Sequence, residues 1–265
     1  MEWITEGYSV RQLVKISHRG IWKIKQIIKY WLNQNVPKIK LNFSALKYLL
    51  FDGTYFRHEN CLMLLLDGQT GKAISYCYQI RENYLSALKI FDDLKSKGVN
   101  PTAITIDGNT SVIRALKAVW PNIVIQRCLV HIQRQGLSWL RRYPKLEASK
   151  ELRKIFLMLF KIETSEERDL FYTALLQWER IYGKYVLSLP SSHKVYGDLQ
   201  RARSLLHHAW PDMFHYLNDR KIAATTNQIE GYFSIVKSRY KQHHGLTKAN
   251  RQKYLSWFIY LRNKS

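Results

Sequence analysis

Between residues 46 and 80 three apolar or aromatic runs follow one another with only turn residues between them: LKYLLFDGTYF, CLMLLLDGQTG and KAISYCYQI. Runs of this length and composition predict strands. Asp67-Gly68 opens the break between the second and third run and predicts a hairpin turn. NYLSALKIFDDLKSKG then carries a helical period and stops at Gly98. TAITID, after Pro101, predicts a fourth strand, SVIRALKAVW a helix, and IVIQRCLV a fifth strand ending near His131. Three meandering strands followed by two helix–strand units predict an α/β fold: a mixed sheet with helices on its faces, because each parallel strand needs a crossover.

The flanks are helical. Residues 133–222 place Leu, Trp, Phe and Tyr at helical spacing, with a loop at LSLPSSHKVYG and a further helix, DLQRARSLLHHAW, stopped by Pro211. TTNQIEGYFSIVKSRYKQHHGL begins with capping residues and continues as a basic helix. Residues 1–36 predict two short helices, with Ser17 as the N-cap of the second. That second helix would turn Ile21, Ile24, Ile27, Ile28, Trp31 and Leu32 inward and Arg19, Lys23, Gln26 and Lys29 outward. The pattern fits a helix-turn-helix DNA-binding segment and an ordinary amphipathic hairpin equally well. Asn33 to Pro37 reads as a linker before a larger domain over 45–265.

Charge bounds the partner. Lys and Arg number 42 against 20 acids, a net +22, in a chain of 265 residues that is 46% hydrophobic and able to bury a core. Such a surplus points to a polyanion, double-stranded DNA foremost. No apolar run reaches the roughly 18 to 20 residues of a membrane helix, and the first residues lack a secretory pattern. The expectation is a cytoplasmic, nucleoid-associated protein with no membrane partner. Cys61, Cys77 and Cys128 form no CxxC pair, which excludes a zinc ribbon among these residues.

Three carboxylates carry the chemistry. Asp52 lies inside a predicted strand, sharing a face with Leu50 and Thr54, where an uncompensated charge is costly. Asp107 sits at the carboxyl end of the fourth strand, where side chains commonly face a site. A strand-Asp-Gly is more often a turn, and Asp67 is read as one. Glu230 falls in the first turns of a helix, a place where Glu is also a common cap or dipole partner. Together Asp52, Asp107 and Glu230 would hold two Mg2+ ions, with Mn2+ as a substitute, for an in-line displacement at phosphorus.

FDGTY around Asp52, TIDGN around Asp107, RCLVH at 127–131 and TTNQIEGYFSIVKSR around Glu230 resemble, in identity and order, the Mutator-like DDE transposases and their bacterial insertion-sequence relatives. The resemblance spans about residues 45–262. It implies a ribonuclease H-like sheet, an all-helical insertion at about 140–222, and Asp52, Asp107 and Glu230 as catalytic metal ligands. It also implies DNA strand cleavage at transposon ends with transfer to a target, by a homodimer or higher oligomer on DNA. Cys128 and His131 match the family's Cys-x-x-His pair. They read either as active-site support or as a buried thiol beside a backbone-satisfied imidazole. Such transposases commonly carry a larger N-terminal DNA-binding region than residues 1–36 supply.

Beyond Glu230, Lys237, Arg239 and Lys241, then His243, His244, Lys248, Arg251 and Lys253, would bring positive charge near the scissile phosphate. A solvated helix face is the plain alternative. Tyr232, Tyr240 and Trp257 read as core more readily than as stacking platforms for bases. A ribonuclease H-like nuclease without strand transfer and a non-catalytic, domesticated DNA-binding protein are the rival functions.

Overall fold

The structure, a computed structural model, describes residues 2–37, 41–56, 60–243 and 245–264. The three apolar runs form β1 (Tyr48–Phe56), β2 (Asn60–Asp67) and β3 (Ala73–Gln79), paired antiparallel in sequence order. On the other side of β1, β4 (Ala103–Ile106) and β5 (Val124–Arg127) join in parallel, giving the order β3-β2-β1-β4-β5. Asp67 closes the β2–β3 turn, accepting from the Thr70 hydroxyl at 2.6 Å and the Gln69 amide at 3.2 Å. It is a turn residue, as its Asp-Gly pair predicts.

Helices α1 (Glu2–Thr5), α2 (Val10–Ser17) and α3 (Ile21–Asn33) precede the sheet. Helices α4 (Tyr84–Ser96) and α5 (Thr110–Val119) are its crossovers. A helical block follows: α6 (Leu129–Leu140), α7 (Glu147–Met158), α8 (Ser165–Ser188), α9 (Lys194–Ala209) and the short α10 (His215–Asn218). Helices α11 (Asn227–Lys241) and α12 (Lys248–Arg262) end the chain.

The sequence of β2 explains the layering. Its side chains alternate between two faces, and both are apolar. Leu62, Leu64 and Leu66 meet Ile229, Phe233 and Val236 of α11 and Tyr254 and Phe258 of α12. Cys61, Met63 and Leu65 meet Phe91 and Leu94 of α4 and Leu116 of α5. Each such residue, almost wholly removed from water, contributes about 1.5–3 kcal/mol of transfer free energy. A third core fills the helical block around Phe156, Phe171, Trp178 and Leu206. Gln126 ties that block to the sheet: its amide donates to the Met213 carbonyl at 2.6 Å, and its oxygen accepts from the Tyr216 amide at 3.3 Å.

Several sequence expectations are corrected. Ser9, not Ser17, is an N-cap: it forms a capping box with Gln12 at the start of α2, while Ser17 is the last residue of α2. His18 follows in the left-handed region at φ 52° and Gly20 caps α3, so the chain turns on these two residues. Of the α3 residues expected inward, Ile24 and Leu32 are buried and Ile28 is half-buried. Ile21, Ile27 and Trp31 are exposed, because α3 packs along one narrow stripe against α12 and α2. The fifth strand ends at Arg127, and His131 lies in the first turn of α6. Finally, α9 begins at Lys194, so HKVYG belongs mostly to a helix and the loop is shorter than expected.

Candidate active site

The parallel register of β1 on β4 pairs Leu50 with Thr105, and that of β4 on β5 pairs Ile106 with Arg127. Counting on along each strand brings Asp52, Asp107 and Cys128 to one level across the sheet, just where β4 and β5 end. Past Leu50 the β4 edge of β1 has no strand partner, so this row lies at the carboxyl ends of the parallel strands. Glycines follow both aspartates, and each lets another side chain approach. A methyl at Gly53 would overlap Oε2 of Glu82 and stand 2.9 Å from the Cys61 thiol. One at Gly108 (φ 108°) would overlap the Arg127 guanidinium.

Asp52 is 9% exposed, and the Gly53 amide donates to its Oδ1 at 2.8 Å. Burial pushes its pKa up to about 6. The His131 charge opposes the rise, and Asp107 and Glu230 add to it. Asp52 therefore feels the charge of two carboxylates carried by two other elements. Asp107 accepts from the Asn109 amide at 2.9 Å, and Asn109 caps α5 through the Ser111 amide at 3.0 Å. This Asx turn fixes the carboxylate at the strand end.

Glu230 is placed by the start of α11. Thr226, the N-cap residue, is fully buried, and its amide and hydroxyl both donate to the Cys128 thiol at 3.2 Å. Cys128 in turn caps α6. The Cys-x-x-His pair thus joins α6 to the helix that carries Glu230. On Cys128, burial alone would raise the pKa; hydrogen bonds from His131 and Thr226 outweigh it and hold the thiol below its ordinary value. The bond to Cys128 is also the largest cause pushing His131 up to about 9, against the burial that opposes its charge. The imidazolium Nε2 stands 3.7 Å from Glu230 Oε1, and Arg134 from the next turn of α6 reaches the same carboxylate at 3.3 Å and 3.4 Å.

A fourth carboxylate belongs to this site and is absent from the sequence reading. Glu82, in the link between β3 and α4, accepts from the Asn109 side chain at 3.0 Å and lies over Gly53. Burial pushes it up to about 7, with Asp107 and Asp52 adding to the rise. An Arg-Glu-Asn link before a helix is ordinary loop chemistry; only the long-range fold brings it to the aspartates. Among the described residues no group of three or more His, Cys, Asp or Glu side chains is drawn to metal-holding spacing.

The basic residues expected near the site divide. Lys237 and Lys241 are exposed on α11, and the Lys237 ammonium stands 5.9 Å from the centre of the Phe56 ring. Arg239 is engaged with the N-terminus instead, donating to the Glu6 carbonyl at 2.9 Å. Arg251 is buried and donates to the hydroxyls of Tyr240 at 2.8 Å and Tyr78 at 3.3 Å. His243 is buried against Trp3, its pKa lowered by burial to about 4. These two residues are buried in the core beneath α11 and α12 and do not form a basic surface. Tyr232, Tyr240 and Trp257 are buried core, as their spacing predicts. Lys253 donates to the Asn33 side chain at 2.7 Å, Lys248 is exposed, and His244 lies outside the described residues. Arg19, just before α3, and Lys23, on it, are exposed.

The sequence profile of the transposase Mutator family matches residues 62–246, well over half of the chain and a span that includes Asp107, Cys128, His131 and Glu230. The chain belongs to that family. It is similar to a probable insertion-sequence transposase of Corynebacterium diphtheriae, 26% identical over 219 residues, covering 79% of this chain and 56% of that protein. It is also similar to the transposase for insertion sequence element IS1201 of Lactobacillus helveticus, 23% identical over 241 residues, covering 88% of this chain and 59% of the other. The chain therefore spans a little over half the length of these relatives. No helix among the described residues is long and apolar enough to cross a membrane.

Proposed function

We propose that the chain is the catalytic core of a DNA transposase that cuts strands at transposon ends and joins them to a target. Asp52, Asp107 and Glu230 would be the residues that hold two Mg2+ ions, or Mn2+ in their place. The observation that carries this reading is that Asp52, on β1, feels the charges of Asp107 at the end of β4 and of Glu230 at the start of α11. On the same reading the order β3-β2-β1-β4-β5 is a ribonuclease H-like sheet. Residues 45–265 form the catalytic domain with a helical insertion at about 140–222, and residues 1–36 form a DNA-binding segment.

The donor set fits a hard divalent cation. The candidate ligands are carboxylates, whose oxygens suit Mg2+ and Mn2+. Asp52 is a buried anion beside two others, an arrangement that added positive charge relieves. The protein already gathers its own cations there, His131 and Arg134, against Glu230. When bound, such ions supply charge neutralisation at the attacking and leaving oxygens. The remaining residues orient. Asn109 fixes Asp107 through its amide, Cys128 and Thr226 fix the start of the Glu230 helix, and the His131 imidazolium keeps positive charge between Asp52 and Glu230.

Double-stranded DNA is the proposed substrate and partner. The net charge of +22 favours it, as do the insertion-sequence transposases to which the chain is similar. A homodimer or higher oligomer assembled on DNA, in the cytoplasm at the nucleoid, follows from the same reading. The test incubates the chain and Mg2+ with duplexes carrying the inverted repeats that flank its coding sequence, together with a target plasmid. Joined products that disappear in Asp107→Asn support the proposal. Cleavage without joining would make the chain a nuclease. Cleavage that persists in Asp107→Asn would remove the assigned site.

A further inference from the structure

Beside Gly108, the end of the sheet and the helical block line an open cavity of about 520 Å³. Its wall includes Arg127, Thr110 at the start of α5, Trp139 of α6, and Ser204, Arg201 and His208 of α9, and no carboxylate lines it. Arg127 is the unusual member. It is 7% exposed, and its Nε has no hydrogen-bond partner, although the carboxylates of Asp107 and Asp212 act on its charge. Its Nη2 donates to the Asp107 carbonyl at 3.3 Å, and Gly108 is the residue whose bareness admits it. A buried guanidinium with an unused donor is costly in a folded chain. It is expected where an anion completes its coordination, and guanidinium matches phosphate geometry better than any other side chain.

We propose that this cavity is a phosphate subsite for the DNA strand, holding a backbone phosphate next to the bond that is cut. The inference rests on the DNA reading of the carboxylate site and adds where the strand runs: past Gly108, between the sheet and the helical block. Arg127 donates to the phosphate from the sheet side. From α9 the cavity is lined by Arg201, which also donates to Asp198 at 3.2 Å, and by Ser204 and His208, whose side chains meet at 3.1 Å; Thr110 presents the start of α5, where helix amides favour negative charge. The helical block thereby becomes one wall of the DNA channel. Phosphate oxygens accept and these groups donate, so the subsite reads backbone and not sequence.

The experiment measures binding of the full chain to a fluorescent 30-mer duplex without metal, over a range of salt, for the wild type, Arg127→Gln, Arg201→Gln and Lys97→Gln. Lys97 is a control of equal charge; it precedes β4 and so lies at the opposite end of that strand from Asp107. The expected result is a loss of about tenfold in affinity for Arg127→Gln and Arg201→Gln, with a salt slope shallower by about 1 in each. Lys97→Gln stays within about twofold of the wild type. Inorganic phosphate should compete more weakly against the two cavity variants than against the wild type. If both variants fold and bind like the wild type with an unchanged slope, the cavity is not a phosphate site. If Lys97→Gln loses as much as they do, the effect is overall charge and the proposal again fails. If Arg127→Gln does not fold, Arg201→Gln decides, its side chain being 66% exposed on α9. A wild type with no affinity for the duplex would overturn the DNA reading itself, a result distinct from the others.

Discussion

Replacing Asp52 by Asn should stabilise the protein above pH 6 while removing its metal binding. The carboxyl is 9% exposed, and its pKa rises from 3.8 to about 6 on folding. A carboxyl raised by folding favours the native state only while protonated. Its contribution is complete below about 3.8 and is lost as pH climbs through about 6. A difference of roughly 2 pKa units corresponds to about 3 kcal/mol at full effect. Asn is nearly isosteric and uncharged at every pH, so the variant escapes that loss. In EDTA at pH 8, Asp52→Asn should melt several degrees above the wild type, since about 1 kcal/mol shifts the Tm of a chain this size by roughly 2–4 °C. At pH 4 the two should nearly coincide, with the gap opening between pH 4 and pH 6.5. Adding Mn2+ at pH 8 should raise the Tm of the wild type and leave that of the variant unchanged, because a ligand stabilises only the state that binds it. A variant less stable than the wild type at pH 8, or equally displaced at both pH values, would refute the reading of Asp52 as a buried charge awaiting a cation.

Glu82→Gln should behave alike at a higher pH. Its carboxyl rises from 4.5 to about 7, so the variant should match the wild type at pH 4.5 and melt above it at pH 8.5, as read by thermal melts in EDTA. Gly53→Ala should cost about 1–3 kcal/mol in a urea titration, because the new methyl overlaps Glu82 and crowds Cys61 in the core between the sheet and α4 and α5. Cys128→Ala should cost about 1–3 kcal/mol, since it strips the buried Thr226 amide and hydroxyl of a common acceptor. It should also weaken Mn2+ binding through the loosened start of α11, whereas Cys128→Ser should recover part of both.

The sheet was legible because its strands are written twice over, as apolar runs and as turn residues between them. Asp67 shows how local chemistry suffices: an Asp-Gly between two strand-length runs has one common use, and the Asp67 side chain closes that turn. Asp52 was legible as an expensive position for the same local reason. Glu82 was not, because nothing in Arg-Glu-Asn marks it; its place beside Gly53 and Asn109 comes from how the link after β3 crosses back over β1 and α4 packs on α5. The interior role of Arg251 was hidden by its neighbours, Lys248 and Lys253, which suggest a basic face. Only the fold reveals the Tyr240 and Tyr78 hydroxyls that receive its guanidinium. His131 was expected at a strand end, because IVIQRCLV holds no turn residue; the structure puts the N-cap of a helix at Cys128, inside that run.

The central claim is that Asp52, Asp107 and Glu230 act as one cation site, and a calorimetric titration of the full chain with Mn2+ at pH 8 tests it most directly. Saturable binding by the wild type, lost or strongly weakened in each of Asp52→Asn, Asp107→Asn and Glu230→Gln while all three remain folded, is the result predicted. Titration curves for the three variants that overlay that of the wild type would contradict it.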